Sequence, residues 1–293
     1  MRKFNYEERS AYIFIFPALI MLFLFMGLPV IVAFFLSFTN YSILEPPKFV
    51  GVQNYVFIFK DKVFIRALLN TLYYTLYYVP LKLLLAFFVA LALTRSAIIS
   101  KFKGMFMTFF YIPVITSMAA SSMIWLWIYQ PDFGILNGIL SFLGLPTSKW
   151  IYDSKTVIPS ISLVTIWKDF GFNVVIFVSG LTTIGKEIYD AAKLDGAKGL
   201  TLIKDIILPL LKPTMLFSLV TSIILSFQVF TAIYIMTQGG PSSASTTVVH
   251  QIYLNAFAYL RMGRASAMAL ILFGIILTLS LVQFRLMKSE VAE

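Results

Sequence analysis

The charged pair Lys168-Asp169 interrupts an apolar run, and Phe172 and Asn173 follow within one turn. In a later apolar run Ser222 and Ser226 stand four residues apart, on one face if the segment is helical, with Gln228 just beyond. Hydroxyls and amides are the groups that hold a polyhydroxylated ligand such as a sugar. Aromatic faces such as Phe172, Phe227 or Phe230 offer a surface for its ring. Charges at membrane depth are costly and face a cavity or one another. Neighbours on a helix point about 100° apart, so simple pairing of Lys168 with Asp169 is not expected. These residues are read as edging a path through the chain. The bland alternatives are that Lys168 snorkels toward the outer face and that the serines hydrogen-bond between helices. Lys82, after Pro80, is read as snorkelling too.

Other chemistries find little support. No Ser/His/Asp set or paired carboxylates occupy an apolar run, and His250 is the only histidine, without acids at metal spacing. With no cysteine there is no disulfide framework or thiolate metal site. Gly180-Leu-Thr-Thr-Ile-Gly185-Lys186-Glu187 nearly matches a phosphate-binding loop, but Glu187 stands where Ser or Thr must hold magnesium and would repel phosphate. The chain is therefore expected to bind no cofactor of its own.

The elements that must position these residues are set by composition. Of 293 residues, 59% are hydrophobic and 12% charged, where a soluble domain averages about 25% charged. A soluble protein so apolar could not cover its surface, so the class is all-α integral membrane. The formal charge of +10 is dispersed among apolar segments, which argues against nucleic acid as a partner and for membrane lipid. A crossing needs about 20 apolar residues. Six runs qualify, at about 11–38, 70–94, 105–129, 157–184, 213–237 and 265–284, and 1–293 is read as one transmembrane domain. The first run is too long for a signal h-region of about 7–15 residues and is read as an uncleaved span. Two polar connections, 39–69 and 238–266, have room for short surface helices.

Orientation follows from Lys and Arg in the loops. With the N-terminus inside, the inner set holds Arg2, Lys3, Arg9, Arg95, Lys101, Lys103, five lysines of 185–212, Arg285 and Lys288, thirteen in all. The outer loops hold eight over a greater length. Both termini and the 185–212 loop are expected on the cytoplasmic side.

That loop is the most polar stretch of the chain. Ile188, Ala191 and Ala192 fall at i, i+3 and i+4 and predict a short helix with one apolar face. Glu187 and Asp190 lie near its start and Lys193 later, as the helix dipole favours. Asp195-Gly196 marks a turn, because glycine accepts positive φ. A second helix is expected over about 198–208, ended or bent by Pro209. Such an element either docks in a partner's groove or rests on lipid headgroups.

Asp190-Ala191-Ala192-x-x-Asp195-Gly196-Ala197, followed by Ile206-x-Leu208-Pro209, resembles the coupling loop of ABC-importer permeases. Asp190 stands where that family usually has glutamate, and Ile203 where it usually has phenylalanine. A second set of landmarks is similar to carbohydrate-uptake permeases of the maltose type. It comprises Phe49-Val50-Gly51-Val52-Gln53-Asn54-Tyr55, Asn70-Thr71, Gly239-Gly240-Pro241, Ser245-Thr246, Ile252-Tyr253 and Gly263-x-Ala265-Ser266-Ala267.

The resemblance implies a type I importer permease fold with six spans in a prokaryotic cell membrane. Asp190, Ala191, Ala192, Asp195, Gly196, Ala197 and Pro209 would couple the chain to one of two ATP-binding cassette subunits. Lys168, Asp169, Phe172, Asn173, Ser222, Ser226 and Gln228 would line the substrate pathway. A second, homologous permease would complete a heterodimer, and an extracellular solute-binding protein would deliver a sugar for alternating access. Within this class the rival solutes are glycerol phosphate or a polyamine. From another class, the rival is a membrane scaffold or channel without ATP coupling.

Overall fold

The computed structural model of the protein describes residues 6–96 and 99–291. Arg2 and Lys3 of the expected inner set lie outside them, as do the side chains of Arg9 and Lys288. Most of the described residues are helical, and the extended pairing among them is two isolated β-bridges, Thr39 to Phe49 and Ser42 to Glu45.

In chain order the helices are α1 Tyr6–Leu22, α2 Leu28–Ser37, α3 Gln53–Lys60, α4 Lys62–Arg95, α5 Lys103–Ile115, α6 Met118–Ile128 and α7 Ile135–Phe142. Then come α8 Val157–Thr183, α9 Lys186–Leu194, α10 Leu200–Leu202, α11 Leu208–Phe227, α12 Thr231–Met236, α13 Val248–Tyr253 and α14 Met262–Val291. Among the described residues, five stretches are long and apolar enough to cross a membrane: Phe14–Ser37, Lys62–Arg95, Val157–Thr183, Leu200–Met236 and Met262–Arg285. The pair Ile99–Ile115 and Met118–Ile128 makes a sixth if counted as one span, bent by 95°. The architecture is thus all-α and of the multi-pass kind that the composition predicts.

Three details depart from a reading of apolar runs as straight rods. The run 105–129 is broken at Thr116-Ser117, both of them extended. Pro113 precedes the break, and its carbonyl accepts from both the Thr116 N–H (3.2 Å) and the Thr116 hydroxyl (2.6 Å), which closes the helix end locally. Pro209, expected to end or bend a helix, is instead carried inside a continuous stretch from Leu200. A proline ring collides with the carbonyl four residues earlier. Here that carbonyl belongs to Asp205, inside the π-helical turn Ile203–Ile207, whose wider radius relieves the collision. The same device recurs at Pro29, just after the π turn Phe23–Gly27.

The chain divides into two compact units. One comprises the residues up to Asp61 together with Gln251–Gly274. Its landmarks act as fasteners. Asn54 donates to the carbonyls of Ser37 (2.8 Å) and Thr39 (2.9 Å), satisfying groups that the end of α2 leaves open. Tyr55 donates its hydroxyl to Ser37 Oγ at 2.8 Å. Gly263 lies so close to the Thr39 carbonyl that any β-carbon would strike it. The apolar residues of Phe14–Ser37 lie on the surface, as lipid or a partner chain requires.

The other unit comprises Lys62–His250 and Ile275–Glu293. Its centre is α4 against α8, running in the same direction: Tyr74 bonds Thr165, Tyr78 bonds Asp169, and Phe87 meets Phe177 edge-on at 6.1 Å. Helix α11 joins them. Gly180 of α8 abuts the side chains of Leu211 and Thr214, and Gly171 abuts the Phe110 carbonyl of α5, so α8 approaches both neighbours through glycine. The loop after α12 is clasped by Asn70, whose amide donates to the carbonyls of Ser243 (3.0 Å) and Thr246 (2.9 Å). Thr71 Oγ1 accepts from the Val248 N–H at 3.1 Å.

Candidate functional site

Within this second unit α4, α8 and the 225–232 segment border an open cavity of about 370 Å³, at the low end of the roughly 300–1,000 Å³ usual for small-molecule sites. Its walls include Tyr74, Tyr78 and Lys82 from α4, Thr165, Asp169 and Phe172 from α8, and Phe230 and Thr231 beyond α11.

The polar groups form one chain. Tyr74 donates to Thr165 Oγ1 at 2.8 Å, and its ring stacks on that of Tyr78 at 5.3 Å and 14°. Tyr78 donates its hydroxyl to Asp169 Oδ2 at 2.8 Å. Lys82 donates to that same hydroxyl at 3.1 Å, with its ammonium 4.5 Å from the ring centre. Asp169 Oδ1 is 3.6 Å from Lys168 Nζ. Lys168 also donates to the Val114 carbonyl at 3.3 Å, one of the last carbonyls of α5, where a cation suits the helix end. The adjacency argument against a Lys168–Asp169 pair is therefore overturned: the long lysine arm folds back along the helix. The snorkelling expectation for Lys82 fails too, since it is 2% exposed and turned inward.

The sequence-derived pathway residues separate. Asp169 and Phe172 line the cavity. Ser226 shares a hydrogen bond with Thr75 of α4 at 2.9 Å and donates to the Ile223 carbonyl, so it fastens helices together. Gln228 is exposed just past the end of α11. Asn173 and Ser222 are each 1% exposed, and neither has a hydrogen-bond partner among the described residues; Ser218 is in the same condition. The offset of 91 residues between Tyr74 and Thr165, repeated by Tyr78 and Asp169, sets Asn173 level with Lys82. Ser222 and Ser218 lie about one and two turns along α11 from Ser226. Sequence reasoning missed Tyr74, Tyr78 and Thr165. The signal was present as Tyr74-x-x-x-Tyr78-x-x-x-Lys82, three polar-tipped side chains on one face of an apolar helix.

At the polar loop, α9 ends in a Schellman arrangement: Gly196 N–H bonds the Lys193 carbonyl and Ala197 N–H bonds the Ala192 carbonyl. Gly196 has φ +79°, the left-handed value that favours glycine. The predicted apolar face is divided. Ala192 is buried and Tyr189 half-buried against the bundle, while Ile188 and Ala191 face outward with Leu194, 89% exposed. Asp190 is exposed and 3.7 Å from Lys193. Asp195 is exposed, Ala197 half-buried and Pro209 exposed.

The family described as "Binding-protein-dependent transport system inner membrane component" matches residues 56–289. A probable ABC transporter permease protein of Bacillus subtilis, YurN, is 34% identical over 97% of this chain and 98% of its own length. The arabinooligosaccharides transport system permease protein AraP of the same organism is 32% identical over 98% of this chain and 92% of its own. In fold, the chain resembles a chain of a bacterial alginate ABC transporter solved with an alginate pentasaccharide-bound periplasmic protein. There the TM-score is 0.80 at 23% identity, over 94% of this chain and 93% of that one. With its apolar helices, its glycine-capped polar loop and this match over most of its length, the chain belongs to the binding-protein-dependent inner-membrane components, the permease subunits of ABC importers.

Proposed function

We propose that the protein is the membrane-spanning permease of an ATP-driven importer that carries a sugar or oligosaccharide inward by alternating access. In this reading it pairs with a second, homologous permease as a heterodimer. Two ATP-binding cassette subunits, which hold ATP and magnesium, dock beneath the pair, and an extracellular solute-binding protein supplies the solute. Both termini and the 185–212 loop lie in the cytoplasm of a prokaryotic cell.

The observation that carries the coupling role is the outward side of α9. Ile188, Ala191 and Leu194 present apolar surface beside the charges of Asp190, Lys193 and Asp195. An exposed apolar stripe rimmed by charge fits a protein groove better than water. Lys168 and Asp169 contribute the membrane-depth charge and Phe172 an aromatic wall. Asn173 and Ser222 supply unsatisfied hydrogen-bonding capacity, while Ser226 fastens α11 to α4 and Gln228 lies exposed beyond the helix end. The similarity to an arabinooligosaccharide permease favours a saccharide over a polyamine, while an sn-glycerol-3-phosphate permease of Agrobacterium fabrum, 30% identical over 83% of this chain, keeps glycerol phosphate as the rival solute.

Single cysteines at Asp190 and Ala197, in the assembled importer, test the coupling role. The expected outcome is crosslinking to the nucleotide-hydrolysing subunit that changes with ATP. Reaction of both positions with an impermeant reagent added only outside the cell would overturn it, leaving the scaffold or channel reading.

A further inference from the structure

We propose that the cavity selects a solute bearing an acidic group, a carboxylate, sulfonate or phosphate ester beside its hydroxyls, and that Lys82 is the residue that seats it. This rests on the sugar-import reading above and narrows its substrate class.

The argument is one of charge and saturation. Among the residues lining the cavity, Asp169 is the one carboxylate and Lys82 the one cation. They do not neutralise each other by contact. The Tyr78 hydroxyl has a single proton, and its 2.8 Å bond gives that proton to Asp169. The hydroxyl can then only accept from Lys82. Asp169 is matched from behind by Lys168 at 3.6 Å, leaving Lys82 as the excess positive charge facing the cavity. Its ammonium has three donors, and its contacts are one neutral hydroxyl and the Tyr78 ring face. A 2% exposed cation at membrane depth so poorly matched is expensive. An acidic group arriving in the cavity would complete its shell with a charge-assisted hydrogen bond. Phe172 and Phe230 then offer aromatic surface to the apolar side of a sugar, and Thr231 adds a hydroxyl to the same lining. For a neutral sugar the arrangement is wasteful, since its hydroxyls would have to solvate a full charge while leaving the cavity positive.

The test uses the complete importer, reconstituted in vesicles with its partner permease, ATPases and binding protein. Uptake is measured for matched disaccharide pairs, each neutral sugar beside the same sugar oxidised at C6 to a uronate. Hexose 6-phosphates and 6-sulfonates separate the kinds of acid, and putrescine represents non-sugars. The expected result is ATP-dependent uptake of acidic members at least tenfold faster than their neutral partners. Lys82→Gln should remove that preference by raising KM at least tenfold for the acidic members, and Lys82→Arg should restore it at least in part. Equal or faster uptake of the neutral partners would overturn the proposal and leave sugar import standing. Uptake of putrescine alone would overturn both, whereas failure of every acidic member would overturn the acidic-solute proposal. If Lys82→Gln does not assemble, the wild-type panel decides alone.

Discussion

The guanidinium carbon of Arg95 lies 3.9 Å from the centre of the Tyr189 ring, joining the last residue of α4 to the short helix α9. Burial pushes the Tyr189 phenol above its ordinary value, and the Arg95 charge pulls the other way. Because α4 also carries Tyr74, Tyr78 and Lys82, one continuous helix connects the loop expected to meet the ATPase with the cavity wall.

That contact predicts how uncoupling arises. A cation over an aromatic face is worth about 0.5–2 kcal/mol. Arg95→Ala and Tyr189→Leu should each lower the solute moved per ATP hydrolysed by about 2- to 30-fold, with the complex still assembled. An unchanged ratio of uptake to hydrolysis in vesicles would remove α4 from the coupling path.

Two glycines should fail in different ways. A β-carbon on Gly196 meets nothing within 4 Å, so Gly196→Val carries mainly the cost of a left-handed backbone, about 1–2 kcal/mol. Assembly in the membrane should persist while uptake is lost. At Gly171 a β-carbon would strike the Phe110 carbonyl, and Gly171→Ala should reduce the amount of assembled complex on a blue-native gel. Normal uptake by the Gly196 variant would count against the coupling role.

Asn173 separates stability from transport. A buried polar group without a partner costs about 1–3 kcal/mol. Asn173→Leu, of similar volume, should raise or leave unchanged the thermal unfolding temperature in detergent, while uptake falls at least tenfold. A fall in both would mean the amide supports packing instead.

His250 predicts acid sensitivity. It is 2% exposed, shares a hydrogen bond with Thr246 at 3.1 Å, and burial lowers its pKa from the usual 6.5. The unfolded chain therefore takes up a proton that the folded one resists. Above about pH 6.5 the histidine is neutral in both states and contributes no pH-dependent loss. Below that, stability declines until the folded-state pKa is also passed. His250→Gln should flatten the fall in unfolding temperature between about pH 6.5 and 5; an identical fall in wild type and variant would assign it to other groups.

Much of the architecture is legible in residue order because its cause is local. An apolar stretch of about 20 residues has few stable states other than a membrane-crossing helix, since each backbone amide must bond within the segment. The Gly196 turn is legible for a similar reason, since its positive φ is a property of one residue. Breaks and bulges were harder to read. Pro113 accompanies an actual break at Thr116-Ser117, whereas Pro209 is absorbed by a π turn. The two differ in what surrounds them rather than in the proline.

Residue types alone determined the all-α membrane class, the polar loop and the presence of charge at membrane depth. Only the tertiary structure decided which charges share a space. Lys82 and Asp169 are far apart in sequence, and it is the register of α4 on α8, set by packing along their whole length, that brings both to one cavity around Tyr78. The same register, with α11 alongside, left Asn173 and Ser222 buried without partners while binding Ser226 to Thr75. Hydrophobicity chooses which segments enter the bilayer, but it is nearly indifferent to how one apolar helix rotates and slides against another. That choice is made by the few polar groups and close glycines that must fit at once.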